Sequence, residues 1–454
     1  MAAHASASPP IPTEPSHLLG AERYAVFFGS STELWRTDGT ARGTQKLANL
    51  FAEEPENMQV AGELVFFVNR RKTAGRELWV TDGTATGTRM VKDVNPGKGS
   101  SDASFVGSFN NVALFTADDG AHGRELWRSD GSAKGTYLLK DLAPGSGSLE
   151  ALHFTVAGNR LFFCTPAGDS KPDTYGRKYS LFALWRTDGT QNGTIRLKTM
   201  YDVKDMVNLN GALIALVHGP DYTVNLCRSD GTRQGTVRYA SLSDPSFRAF
   251  WGDFYGMNLT VAGGKVFFST NGCGGEQPVG MKLYAADTGT ITLLKDYYSS
   301  DWRDNGYTVE IGRAVRGNYH FRVGFGNYDY GQYESWRSDG TPEGTVRVER
   351  YRLADSPGVT VGPYSVFVHW QDSETGYEPW ITDGTEAGTR MLADINPGDR
   401  NSIPDGNLDC TVLGNNFLFV ANDGMHGNMI WVWPYKTKRP VRPLIPATAP
   451  TVSP

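Results

Sequence analysis

Apolar positions in this chain come in short runs closed by turn residues, and one series shows the pattern well. "NMQVAG" (57–62), "ELVFFVNR" (63–70), "RELWVTDG" (76–83) and "TRMVKDV" (88–94) each carry a strand-length apolar core. Ala-Gly-Glu and Asp-Gly-Thr turn chemistry separates the first from the second and the third from the fourth, which predicts two tight hairpins. No segment carries a useful helical period, so the series predicts four antiparallel strands and no helix.

The series repeats. Its third member returns as "RELWRSDG" from Arg124 and "EPWITDG" from Glu378. Aligned on its aromatic, it falls at Trp35, Trp79, Trp127, Trp185, Tyr284, Trp336, Trp380 and Trp431, with Cys227 at the equivalent place. Those nine positions lie 42 (185 to 227) to 58 (127 to 185) residues apart, in the range of propeller blades and too irregular for a solenoid of identical turns. The fold class predicted is therefore all-β: a single β-propeller of four-stranded antiparallel blades over residues 17–447. Nine blades is the simplest count. Eight follows if the first and ninth units share a blade, with "PVRPLIPA" (440–447) as a closing strand.

Three residues after the aromatic stands Asp38, Asp82, Asp130, Asp188, Asp230, Asp287, Asp339 or Asp383; the ninth unit has Pro434 there. An Asp in a tight turn accepts backbone N–H groups, the next Gly supplies positive φ, and flanking Thr hydroxyls cap the same turn. Eight near-identical copies would be eight near-identical active sites, so this motif is read as scaffold.

Composition agrees with a turn-rich β protein: 53 Gly, 12% aromatic and 39% hydrophobic residues. A net charge of -5 and a pI near 5.9 supply no basic surface for nucleic acid. No apolar run approaches the roughly 20 residues of a membrane helix. Residues 1–16 and 448–454 read as a disordered leader and tail. The leader resembles an N-terminus left by signal-peptide removal, which predicts an extracellular or periplasmic monomer. Cys164, Cys227, Cys273 and Cys410 show no metal or disulfide spacing; the places of Cys164, Cys227 and Cys410 favour buried thiols, with one disulfide between neighbouring repeats left open.

The string E-L-W-x-[TS]-D-G-T-x-x-G-T resembles the ELWxxDGT repeat family of bacterial, often myxobacterial, proteins, and its turns are similar in placement to sialidase Asp boxes. The resemblance spans roughly residues 17–445, fits best in units two, three and eight, and weakens in five, six and nine. It implies a propeller and an envelope or extracellular setting, and brings no catalytic residue set with it.

Length variation collects in one class of connection: residues 164–180, 241–258, 269–282, 295–308 and 324–335. These loops hold Trp251, Tyr255, Trp302, Arg303, Tyr328 and Tyr330 among carboxylates, and Trp370 ends a nearby strand; together they form the predicted ligand site. Aromatic faces beside polar groups suit a sugar or a protein partner. Equally, the aromatics could form a small second core. His218 and His369 end strands on the same side, and with Tyr222 and Arg177 they sketch an enzyme alternative in the central funnel, a hydrolase, a small-metabolite enzyme or a polysaccharide lyase, the last with a His or Tyr base and an Arg that neutralises a uronate. Asp119 and Asp423, in "ADDG" and "ANDG", are oxygen donors of the kind Ca²⁺ accepts, although Asp-Gly turn chemistry accounts for them as well. His122 and His426 recur at one place in two units, which favours loop packing for them.

Overall fold

The computed structural model describes residues 14–30, 32–50, 58–171, 178–219, 223–243, 258–271, 280–287, 289–298, 307–325, 332–348, 358–370, 375–403, 406–437 and 439–444. Among them are nine four-stranded antiparallel sheets and no helix, the blades of a nine-bladed β-propeller. Every sheet takes its four strands in sequence order from one stretch of chain. The strands of blade two, Met58–Ala61, Leu64–Arg71, Gly75–Thr81 and Arg89–Lys92, fall on the four sequence signals.

The eight-blade alternative is not adopted. Blade one is complete from Ser16 to Asn49 and blade nine from Cys410 to Pro443. The expected closing strand is instead the fourth strand of blade nine: Arg442 and Pro443 pair with Val432 and Trp431. Ser16, placed in the leader, already opens a strand, and the rest of the leader up to residue 13 and the tail lie outside the described residues.

Two compact units result. One holds blades one, two, three and nine with residues 366–381 and 390–391 of blade eight; the other holds blades four to seven with residues 358–365 and 382–389. In the first, strand one of blade one lies against strand one of blade nine. Asp409 Oδ1 accepts the Leu18 N–H at 2.8 Å and Thr411 Oγ1 accepts the Gly20 N–H at 2.9 Å.

The core follows from the second strands. Val65, Phe66, Phe67 and Val68 are all buried, as are Leu161, Phe162, Phe163 and Cys164, because both faces of these strands are covered. That is why their apolar residues run on instead of alternating. The third-strand aromatic stacks on a second-strand Phe of its own blade: Phe67 on Trp79 at 6.2 Å, Phe115 on Trp127 at 6.5 Å. A β-bulge opposite the Leu-aromatic step recurs in blades one to four and six, and opposite the equivalent Leu226–Cys227 step in blade five.

The repeated turn confirms its scaffold reading. In blade two, Asp82 Oδ1 accepts the Thr84 N–H at 2.9 Å and the Thr84 hydroxyl at 2.6 Å, and Thr81 Oγ1 accepts the Gly83 N–H at 3.0 Å. Thr88 then donates to Thr84 O at 2.7 Å. The two glycines serve different ends. Gly83 has φ +80, whereas Gly87 is not left-handed and is required because a Cβ there would overlap the Asp82 carboxylate.

Candidate functional site

The glutamate of the motif, which sequence reasoning passed over, shapes the connections that leave blades two, three and eight. Glu77 is buried; its Oε2 accepts the Val94 N–H at 2.8 Å and its Oε1 the Ser101 N–H at 3.0 Å. Burial pushes its carboxyl up to about 7 against the pull of those hydrogen bonds. Glu125 holds Leu142 and Ala143 in the same way, and Glu378 holds Ile395 and Asn396. The exit string "KDVNPG" is thus clamped to its own blade.

Blade five differs from blades two and three at three places. Its second strand, Ala212–Gly219, puts Ala215 opposite Cys227 of its third strand, Thr223–Ser229, so neither ring of the stacked pair is present. Asn225 stands where the glutamate would be, bonded to Thr223 Oγ1 at 3.2 Å and to the Ser241 hydroxyl at 2.8 Å. Where the rings are missing, a pocket of about 350 Å³ opens between the fourth strand of blade four, Ile195–Tyr201, and blade five. Met200, Tyr201, Val217, Cys227 and Val237 supply apolar wall, and Lys198, Asn225 and Arg238 are among its polar groups. Burial pushes the Cys227 thiol up to about 11, with Lys198 and Arg238 pulling the other way, which disfavours the thiolate at this wall.

A polar cluster shares one wall of that pocket. Tyr201 lies edge-on to Tyr179 at 6.4 Å, and Tyr179 lies edge-on to His218 at 6.4 Å. His218 Nδ1 is 3.7 Å from Asp202 Oδ2, and Lys204 Nζ reaches the same oxygen at 2.8 Å. Burial pushes the Asp202 carboxyl up, but the neighbouring His218 and Lys204 side chains outweigh it and hold Asp202 below its usual range.

The other sequence candidates divide. His369, half-buried, packs edge-to-face on Trp380 at 5.2 Å in blade eight. Trp370 ends the strand Tyr364–Trp370 beside it. Asp119 and Asp423 form one repeated turn: Asp119 Oδ1 accepts the Ala121 and His122 N–H groups at 2.9 and 2.8 Å, and its Oδ2 meets His122 Nδ1 at 2.8 Å. Asp423 does the same with Met425 and His426, its Oδ2 lying 2.7 Å from His426 Nδ1. Among the described residues, no three His, Cys, Asp or Glu side chains converge as a metal site. Arg177, Tyr222, Trp251, Tyr255, Trp302, Arg303, Tyr328 and Tyr330 lie outside the described residues, as does Cys273. In blades four to seven, part of what the sequence suggests as loop is strand: the hairpin of blade four pairs out to Asp169 and Ser180, because antiparallel partners continue wherever both flanks stay extended.

The signal for the pocket was in the sequence. Cys227 is visible in the alignment, and Ala215, twelve residues earlier, completes the exception once the register pairs them.

No family model matches the chain, and no curated protein matches it. Solved structures resemble it weakly. The β-propeller domain of the Trilobed protease from Pyrococcus furiosus is 8% identical, covers 87% of this chain and 99% of its own, and has a TM-score of 0.38. Oligopeptidase B from Leishmania major is 9% identical over 81% of this chain and 53% of its own, TM-score 0.39, and the tricorn protease 11% over 94% and 44%, TM-score 0.32. The chain thus spans about half the length of these last two. The propeller assignment rests on this chain's own sheet order.

Proposed function

We propose that this protein is an extracellular or periplasmic binding protein of the ELWxxDGT kind that recognises a glycan or protein partner. The observation that carries the reading is the pocket of about 350 Å³ at blade five, where one boundary of a repetitive scaffold departs from the pattern and leaves a concave, mostly apolar space beside a polar cluster. The location is taken from the family resemblance. Asp119 and Asp423 are assigned to turn formation in preference to Ca²⁺ binding, since both carboxylates are engaged by their own loops.

The rival is a lyase or hydrolase using His218, and the His218–Asp202 pairing favours it to a degree, because a carboxylate can orient an imidazole for proton transfer. Lys204 on the same oxygen weakens that role by neutralising the carboxylate. Two measurements separate the readings. A panel of immobilised glycans and envelope proteins is expected to yield a ligand whose affinity falls at least tenfold in Tyr201→Ala. Uronate polysaccharides incubated with the protein are expected to give no absorbance from an unsaturated product; product that disappears in His218→Ala would replace binding with catalysis.

A further inference from the structure

In blades one, two, three, four, six and seven a second-strand Phe stacks on the third-strand aromatic, at centroid distances from 5.3 to 6.5 Å. Across two blade boundaries a lysine from the preceding blade completes the arrangement. Lys92 donates to Thr136 O at 2.9 Å and places its ammonium 5.6 Å from the Trp127 ring, and Lys295 sits 5.2 Å from the Trp336 ring. Blade four supplies the same lysine to blade five: Lys198 donates to Thr236 O at 3.0 Å, one repeat pair on from Lys92 and Thr136. The ring it would cover is missing, because the position is Cys227 and its stacking partner is Ala215.

The space left is lined on its apolar side by Met200, Val217 and Cys227. Tyr201 and Val237, also lining it, are 38% and 43% exposed, two of the few large apolar side chains the described surface leaves uncovered. Arg238 borders the pocket from the fourth strand of blade five, Val237–Ser243. A pocket at the position where other blades hold a flat ring, bordered by apolar wall, by the Lys198 ammonium held on Thr236 O and by the Arg238 guanidinium, fits an aromatic group better than a sugar, whose hydroxyls would meet apolar wall.

We propose that this pocket binds a planar aromatic ring of the ligand, in the place that Trp127 occupies in blade three, with the Lys198 ammonium against the ring face and Arg238 placed to meet an anionic or carbonyl substituent. This rests on the binding reading given under Proposed function. The ring can come from a free aromatic compound or from an aromatic side chain of a partner.

The test is calorimetric titration of the full chain with indole and with N-acetyl-tryptophan amide, against cyclohexanol and methyl glucoside as non-aromatic controls. The two aromatic probes are expected to bind saturably and the controls not. Lys198→Met should weaken the aromatic probes about threefold. Cys227→Trp should abolish their binding and raise the thermal midpoint, because its own indole fills the slot. Tighter binding of the amide than of indole assigns the ring to a partner's side chain, and the reverse to a free compound. Absence of saturable binding by either aromatic probe, or unchanged binding in a folded Cys227→Trp, overturns the proposal. If Cys227→Trp does not fold, an unchanged affinity in Lys198→Met does so. A Tyr201-dependent glycan in the panel with no aromatic binding leaves the binding function standing and removes this inference alone; failure of both removes both.

Discussion

Replacing Gly87 by alanine isolates the physics of the repeated turn. Gly87 is not left-handed, so alanine meets no torsional obstacle there; the obstacle is the Asp82 carboxylate against its Cα. To make room, Asp82 must swing away and release the Thr84 N–H at 2.9 Å and the Thr84 hydroxyl at 2.6 Å. Two such bonds in an exposed turn contribute about 1–3 kcal/mol, and the lower chain entropy of alanine returns about 0.4–1 kcal/mol. Gly87→Ala should therefore cost between about 0 and 2.6 kcal/mol, and Asp82→Ala, which removes the same bonds, about 1–3 kcal/mol. The double variant has no carboxylate left to displace. It should be at least as stable as Asp82→Ala alone, so the two costs do not add. Urea unfolding of the four proteins gives the cycle, and hydrogen exchange at the Gly87 N–H, which bonds Thr84 Oγ1 at 2.9 Å, reports locally. Additive costs would refute the reasoning, because the alanine would then be meeting something other than Asp82.

Two further outcomes follow from buried ionisable groups. Glu77→Ala leaves the Val94 N–H without its buried acceptor, at about 1–3 kcal/mol, whereas the Ser101 N–H keeps the Arg76 carbonyl at 3.0 Å; faster amide exchange at Val94 checks it, and unchanged protection there would count against the clamp. His320 is 1% exposed, and burial, with Arg337 and Arg313 adding to it, pushes its imidazole down to about 4. The unfolded chain therefore takes up the proton first, so this group's contribution is full above about 6.5 and is lost as pH falls toward 4, at up to about 1.4 kcal/mol per pH unit. His320→Phe should lose less stability than the parent between pH 7 and pH 4.5; parallel losses in urea midpoint would refute the assignment. Glu77 has the opposite sign, its raised carboxyl favouring the fold at low pH and losing that as pH rises through 7, which is why the His320 comparison is made against the parent.

The scaffold was legible because nine copies of one pattern average out local ambiguity. The strand order and the Asp turns could both be read from "RELWVTDGTATGTRMVKDV", since each depends on contacts within a few residues or within one hairpin. The candidate site was legible only in part. Cys227 stands out in an alignment of the chain with itself, and His218 ends a strand, but a substitution in a repeat does not say whether the neighbours close over the gap. That depends on Lys198 and Tyr201 of the preceding blade, whose positions come from packing between sheets.

The sequence by itself determined that this is a β-propeller of four-stranded blades, and that its repeated Asp is structural, because periodicity and turn chemistry are local properties. The tertiary structure decided three things. Blades one and nine are separate because each finds four strands of its own. Glu77, Glu125 and Glu378 are clamps because burial makes them the acceptors for groups some 17 to 24 residues away. The loss of an aromatic pair becomes a pocket only because the lysine and the walls around it stay where the other blades hold them.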